Sequence, residues 1–196
     1  MPTIPPEPPA PEVPAAPPVL RTPRLTLRPF RDEDAGALFR IFSDPKVTRY
    51  WNRVAWTDPA EARAMIERYR PVDGDRTFLP WAVAGAEDDV VIGTATLFQI
   101  DATHRRAEIG YALASAYWGR GLMHEALIVV VGYAFDTLRL HRLEADIDPR
   151  NAASLRSVER LGFLREGTLR ERWQVGGEIS DTAFFGLLAP EWRAGR

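Results

Sequence analysis

Apolar and polar residues alternate along LRTPRLTLR, positions 20–28, which puts Leu25 and Leu27 on one face and predicts a strand over 24–29. The period then lengthens. Ala37, Leu38, Ile41 and Phe42 recur at helical spacing behind Asp32, Glu33 and Asp34, acids that stabilise a first turn, until Asp44-Pro45 stops the run. A second helix is predicted over 58–69, with Thr57 or Asp58 as cap, Pro59 in the first turn, and Met65, Ile66 and Tyr69 as its apolar stripe. From Phe78 the period of two returns and predicts strands over 79–84, 90–100 and 106–114, the first two joined by a hairpin turn at 85–89.

The third of these strands runs into Tyr117-Trp-Gly-Arg-Gly121, which opens a long apolar helix over 122–138. Glycines at 119 and 121 permit positive φ and close approach of a ligand, and the free N–H groups of a helix start can face an anion. The same fragment also serves as an ordinary bend between strand and helix. A strand over 141–147 follows, then a helix over 151–161 ended by Gly162, then strands over 166–175 and 181–188 joined through Gly176-Gly177. Strand, helix, strand, helix implies a parallel pair, so the expected fold is α/β, a mixed sheet with helices on both faces.

Composition narrows the function. The 196 residues, 45% of them hydrophobic and with a formal net charge of -2, suffice for one domain with a sizeable core. No long basic run marks a nucleic-acid footprint. The absence of cysteine excludes disulfides, zinc–thiolate sites and a thiol intermediate, so acyl transfer would have to proceed without one. The longest apolar run, 126–135, is too short to span a bilayer and reads as a buried helix. Residues 1–19, rich in proline and without a basic start or apolar centre, are expected as a solvated polyproline II tail ahead of a domain over 20–196. An SH3-like partner is the alternative use of that tail, and a cytoplasmic location is the default expectation. His104, His124 and His141 are dispersed, which gives no metal-binding pattern.

Glu108-Ile-Gly-Tyr, Tyr117-Trp-Gly-Arg-Gly, Leu140-His-Arg-Leu-Glu-Ala, Asn151-Ala-Ala-Ser154 and Leu161-Gly-Phe163, in this order and spacing, resemble the GNAT acetyltransferases. More narrowly they resemble the RimJ/RimL branch, which acetylates protein N-termini. The similarity covers about 20–192. It implies a mostly antiparallel central sheet whose two parallel strands splay to hold acetyl-CoA. The pantetheine arm would pair with the backbone of Tyr111, Ala112 and Leu113. The diphosphate would lie on the turn formed by Trp118, Gly119, Arg120, Gly121, Leu122, Met123 and His124. An extended amide chain can pair like an added strand, and phosphates need donors at a helix start more than cationic side chains. Arg120 is either a rim contact or a solvated side chain, and Arg160 is a candidate for the nucleotide phosphate or an exposed helix arginine. Trp118 and Met123 depart from the broad pattern, and Met123 either crowds the ligand or turns into the core.

The tyrosine that many GNAT enzymes place seven residues after the helix-starting Asn, as acid for the departing thiolate, is Val158 here. The resemblance therefore points to Ser154, one turn from Asn151 and on the same helix face, as the thiol partner. Each residue also has a local reading: Asn151 as an N-cap, Ser154 as bonded to a backbone carbonyl. Glu108 leads the strand into the site and is the expected base, its alternative being a salt-bridged strand residue. Its task is modest, since an α-amine of pKa about 8 costs only about 1.4 kcal/mol to deprotonate at pH 7, against more than about 4 kcal/mol for a lysine. A strand N–H, that of Tyr111, would stabilise the oxyanion. The expected reaction is direct transfer from acetyl-CoA to a primary amine, above all a protein N-terminus such as a ribosomal protein's. A polyamine or aminoglycoside acceptor, or a non-catalytic acyl-CoA sensor, are the alternatives. A polyamine calls for an acidic pocket. The resemblance also admits a homodimer.

Overall fold

The computed structural model describes residues 12–71 and 75–195. Within them one sheet is built from β1 (Leu20–Arg21), β2 (Leu25–Arg28), β3 (Leu79–Gly85), β4 (Val91–Asp101), β5 (Arg106–Leu113), β6 (Arg142–Ile147), β7 (Leu164–Val175) and β8 (Glu178–Leu188). The spatial order is β1-β2-β3-β4-β5-β6-β8-β7, antiparallel throughout except where β5 meets β6. Helices α1 (Ala35–Phe42), α2 (Pro45–Thr48), α3 (Ala60–Tyr69), α4 (Leu122–Gly132), α5 (Ala152–Arg160) and α6 (Ala189–Ala194) complete the fold.

Strand periodicity divides the core into two layers. On β3, Leu79, Trp81 and Val83 enter the layer shared with Ala126, Leu127 and Val130 of α4, Val158 of α5 and Trp192 of α6. Ala82 and Ala84 face the other way, toward Leu38 and Phe42 of α1 and Met65 and Ile66 of α3. The apolar run 126–135 is buried as expected, although its last turns, Tyr133–Thr137, widen into a π-helix. The closing hairpin turns at Gly176 and Gly177, with φ of 57° and 86°, values at which a Cβ is strained.

Two local expectations are corrected. Asp44-Pro45 does not simply end a helix: the Asp44 carboxylate accepts the Lys46 amide at 2.9 Å and caps the short α2, with Pro45 in its first turn. The proline-rich tail is not solvated up to residue 19. Val13 is 5% exposed within the α4 layer, and the Pro18 carbonyl accepts the Trp81 indole N–H at 2.8 Å. One apolar side chain and one buried donor in need of an acceptor suffice to dock 12–19 on the domain. Residues 1–11 of the expected tail lie outside the described residues.

A buried ion pair ties β2 to the segment before α1. The Arg28 guanidinium grips Asp34 through two bonds of 2.8 and 3.0 Å, and its Nε donates to Asp89 at 2.7 Å. Arg28 and Asp34 are 3% and 6% exposed.

Candidate active site

β5 and β6 pair only from Arg106↔Arg142 to Glu108↔Glu144, yet β5 continues to Leu113 and β6 to Ile147. Past Glu108 the two strands part. The Ala114 amide donates to the Ile92 carbonyl on β4 at 2.8 Å. By strand alternation the amides of Gly110 and Ala112 face β4 too, and those of Ile109, Tyr111 and Leu113 face the gap. The gap thus carries a free strand edge, able to pair with an extended amide chain. Its far end is closed by Trp118, whose indole N–H donates to the Leu113 carbonyl at 2.8 Å.

That contact leads to the glycine turn. Gly119 and Gly121 have φ of 75° and 73°, and a Cβ on Gly119 would meet nothing within 4 Å. Open space on a left-handed residue fits a surface built for close approach rather than a bend filled by packing. The amides of Leu122, Met123 and His124 open α4 and have no intrahelical acceptor. Leu122 and Met123 send their side chains into the core, so Met123 does not crowd the turn. Arg120 is exposed and stacks on the Tyr117 ring at 5.5 Å. His124 keeps a buried Nδ1 without a hydrogen-bond partner among the described residues.

On the α1 side of the splay lies a cleft of about 520 Å³, walled by β5, β6, the chain from Thr48 to Ala55 and the β7–β8 hairpin. Glu108 lies on it, 9% exposed, and accepts no hydrogen bond from the described residues. Burial, then the charges of Asp146 and Glu144, raise its carboxyl above the ordinary range against the weaker pull of Arg172 and Arg106. Asp146, by contrast, is fully engaged, accepting from Thr182 Oγ1 at 2.6 Å, Trp173 Nε1 at 3.1 Å and Arg172 Nε at 3.4 Å. Two neighbouring carboxylates are thus set apart, one bound and one open.

At the other wall, Asn151 accepts the Ser154 amide at 3.1 Å and caps α5. The Ser154 Oγ lies 2.7 Å from the Tyr111 hydroxyl, which also reaches the Ser154 carbonyl at 3.3 Å. Burial pushes the Tyr111 phenol up to about 12 despite that bond, so it stays protonated. Val158 is fully buried in the core.

The structure therefore brings Glu108, Tyr111, Asn151 and Ser154 to one cleft, and Trp118 to His124 to the turn reached along β5. Arg160, nine residues beyond the Asn151 cap and about 13 Å further along the helix axis, is exposed and lines no part of the cleft. Ala112 turns its methyl into the α1 layer and its amide to β4, so of the three residues expected along the pantetheine arm only Tyr111 and Leu113 present backbone to the gap. Asp146, Arg172 and Trp173 were not singled out from sequence. The alternation Arg142-Leu-Glu-Ala-Asp-Ile puts Asp146 on the face of Glu144, but its bonds to Arg172 and Trp173 on β7, with β8 between the two strands, need the fold. No cluster of three or more potential metal ligands is found among the described residues. No helix among them is long and apolar enough to cross a membrane.

A sheet opened at its single parallel junction, with a left-handed glycine turn at the end of the gap, is the arrangement that the resemblance to the GNAT acetyltransferases implies. The sequence profile of the acetyltransferase (GNAT) domain matches residues 24–164, and the chain belongs to that family. A Bacillus licheniformis protein described as uncharacterized N-acetyltransferase p20 is 38% identical over 173 residues, 88% of this chain and 97% of that one. Two Escherichia coli relatives are named for different acceptors. The [ribosomal protein uS5]-alanine N-acetyltransferase is 25% identical over 182 residues, 90% of this chain and 94% of that one. The spermidine N(1)-acetyltransferase is 26% identical over 152 residues, 78% of this chain and 79% of that one. A structure from Chromobacterium violaceum, described as a probable GNAT-family acetyltransferase, matches with a TM-score of 0.80 at 26% identity, covering 98% of this chain and 100% of that one. The chain is an acetyl-CoA-dependent N-acetyltransferase.

Proposed function

We propose that this enzyme acetylates the α-amine of a polypeptide, with Glu108 as the base. The observation that carries the reading is the Glu108 carboxylate, nearly buried, raised in pKa and without a hydrogen-bond donor among the described residues, facing the cleft at the point where β5 and β6 part. A base needs an open lone pair and a proton affinity above that of an ordinary carboxylate, and both are present. The cleft is not an acidic pocket. Arg49, Arg53, Arg150 and Arg172 line it beside Glu108, Asp146, Asp148 and Glu178, and Arg150 is already bonded to both Asp148 and Glu178. Such balance suits a singly charged chain end with peptide groups behind it better than a polyamine, whose every ammonium needs a carboxylate.

When bound, acetyl-CoA supplies an acyl group already activated as a thioester. The residues divide the remaining work. Gly119, Gly121 and the amides of 122–124 hold the diphosphate, and the Tyr111 carbonyl and Leu113 N–H on the gap edge align the arm. The Tyr111 N–H faces the gap and donates to oxygen that gains charge. Glu108 takes the proton that the amine releases, and the Ser154 hydroxyl donates a hydrogen bond to the departing sulfur, which takes up its proton from solvent.

A panel assay tests the assignment: acetyl-CoA with peptides bearing free N-termini, spermidine and aminoglycosides. Peptide acetylation with the highest kcat/KM is expected. Preference for spermidine would overturn the acceptor, and thioester uptake without transfer to any amine would leave the sensor reading.

Ser154→Ala is expected to lower kcat about tenfold, below the usual range for acid catalysis, because a thiol of pKa about 8.5 departs with little help. Tyr111→Phe keeps the ring and removes only the bond to Ser154. It should slow turnover less, while leaving KM for acetyl-CoA unchanged. Steady-state kinetics of both variants check the order; equal rates for wild type and Ser154→Ala would make the serine structural.

A further inference from the structure

The peptide between Arg120 and Gly121 abuts the left-handed Gly121, whose missing Cβ lets the plane turn about that residue's φ at little steric cost. One contact restrains it: the Arg120 carbonyl accepts Arg24 Nη1 at 3.0 Å. Arg24 stands at the corner between β1 and β2, 96 residues away in sequence. It is held in turn by Glu125 in the first turn of α4. Arg24 Nε and Nη2 each lie 2.6 Å from Glu125 Oε2, and the Arg24 amide donates to Oε1 at 3.0 Å. The Thr22 hydroxyl donates to the same Oε1 at 2.5 Å. The fork of the guanidinium thus spans the helix start and the turn before it, an arrangement that a single point charge cannot reproduce.

A trans peptide directs its C=O and its N–H to opposite sides. Holding the Arg120 carbonyl toward the β1–β2 corner aims the Gly121 N–H away from that corner, to the open side of the turn. We propose that Arg24 is a positioning residue for the cofactor: it fixes the 120–121 peptide so that the Gly121 N–H is presented to the diphosphate before the ligand arrives. This rests on the turn being the diphosphate site. Without Arg24 the peptide flips, and affinity falls by the fraction of molecules that retain the competent orientation. Neither the glycine pattern nor the helix start contains this information, because the restraint comes from a distant strand.

Calorimetric titration of the full chain with CoA, and with pantetheine, which lacks the diphosphate, separates this role from a general one. Arg24→Ala is expected to weaken CoA about tenfold, as when a tenth of the molecules stay competent, and to leave pantetheine affinity as in wild type. Arg24→Lys should fall between the two. CoA affinity unchanged in Arg24→Ala would overturn the proposal, as would equal losses for CoA and pantetheine. Wild type that binds CoA yet acetylates no amine would sink the assigned reaction and leave this inference standing; wild type that binds no CoA would sink both.

Discussion

Glu108→Gln is expected to slow transfer about a hundredfold at pH 7, the lower end of what a positioned base contributes, and at the same time to raise the melting temperature. The two effects have one origin. Glu108 sits in a place that burial and the charges of Asp146 and Glu144 make hostile to a negative charge, so its carboxyl holds a proton more tightly in the folded protein than in the unfolded chain. Its contribution to stability is therefore present below the ordinary carboxylate pKa and is lost as pH rises through the folded value. At neutral pH the ionised side chain costs the fold free energy, and glutamine, neutral and of equal size, removes that cost. In wild type the acid limb of kcat/KM combines the amine, of pKa about 8, with Glu108. In the variant the amine alone remains, so its acid limb follows one ionisation, and the deficit grows as Glu108 ionises in wild type and then holds constant at higher pH. A pH–rate profile and a thermal melt of both proteins check this. Unchanged rate with raised stability would show a carboxylate that is merely badly placed.

The second large effect concerns stability alone. Asp34→Ala is expected to cost about 3 kcal/mol, the lower part of the range for breaking a buried ion pair. Arg28, 3% exposed, would lose its two bonds to Asp34 and keep Asp89, and the Arg31 amide would lose the acceptor it reaches at 2.8 Å. With about 2–4 °C per kcal/mol for a chain of this size, the melting temperature should fall by on the order of 10 °C. Replacing both partners by apolar residues of similar volume, Arg28→Met with Asp34→Leu, should recover most of the loss, because no unpaired charge is then buried. Denaturant midpoints at constant slope measure it, and a single variant as stable as wild type would refute it.

The elements were legible where one period persists. β3 and β4 lie within a residue of their expected bounds, and α3 follows from its stripe of Met65 and Ile66. The exceptions are local chemistry or distant packing. The capped α2 depends on an Asp44 side chain bonding two residues ahead, and the segment before β1 is tied down where Pro18 meets the indole of Trp81, far along the chain. The same distinction holds in the site. The glycine turn, Glu108 and Ser154 announce themselves by residue type and order. The Tyr111–Ser154 bond, the Asp146–Trp173 bond and the Arg24 restraint join residues 43, 27 and 96 positions apart, and no local pattern encodes them.

The parting of β5 from β6 after three rungs has an evolutionary corollary. On the proposed assignment, nucleotide recognition is confined to one half-sheet and its outgoing helix. The opposite bank is supplied by β6, the terminal hairpin and the connection around residue 53. Sequence drift on that bank can retune which amine is admitted without disturbing the thioester grip, so such a scaffold diversifies its clientele piecemeal.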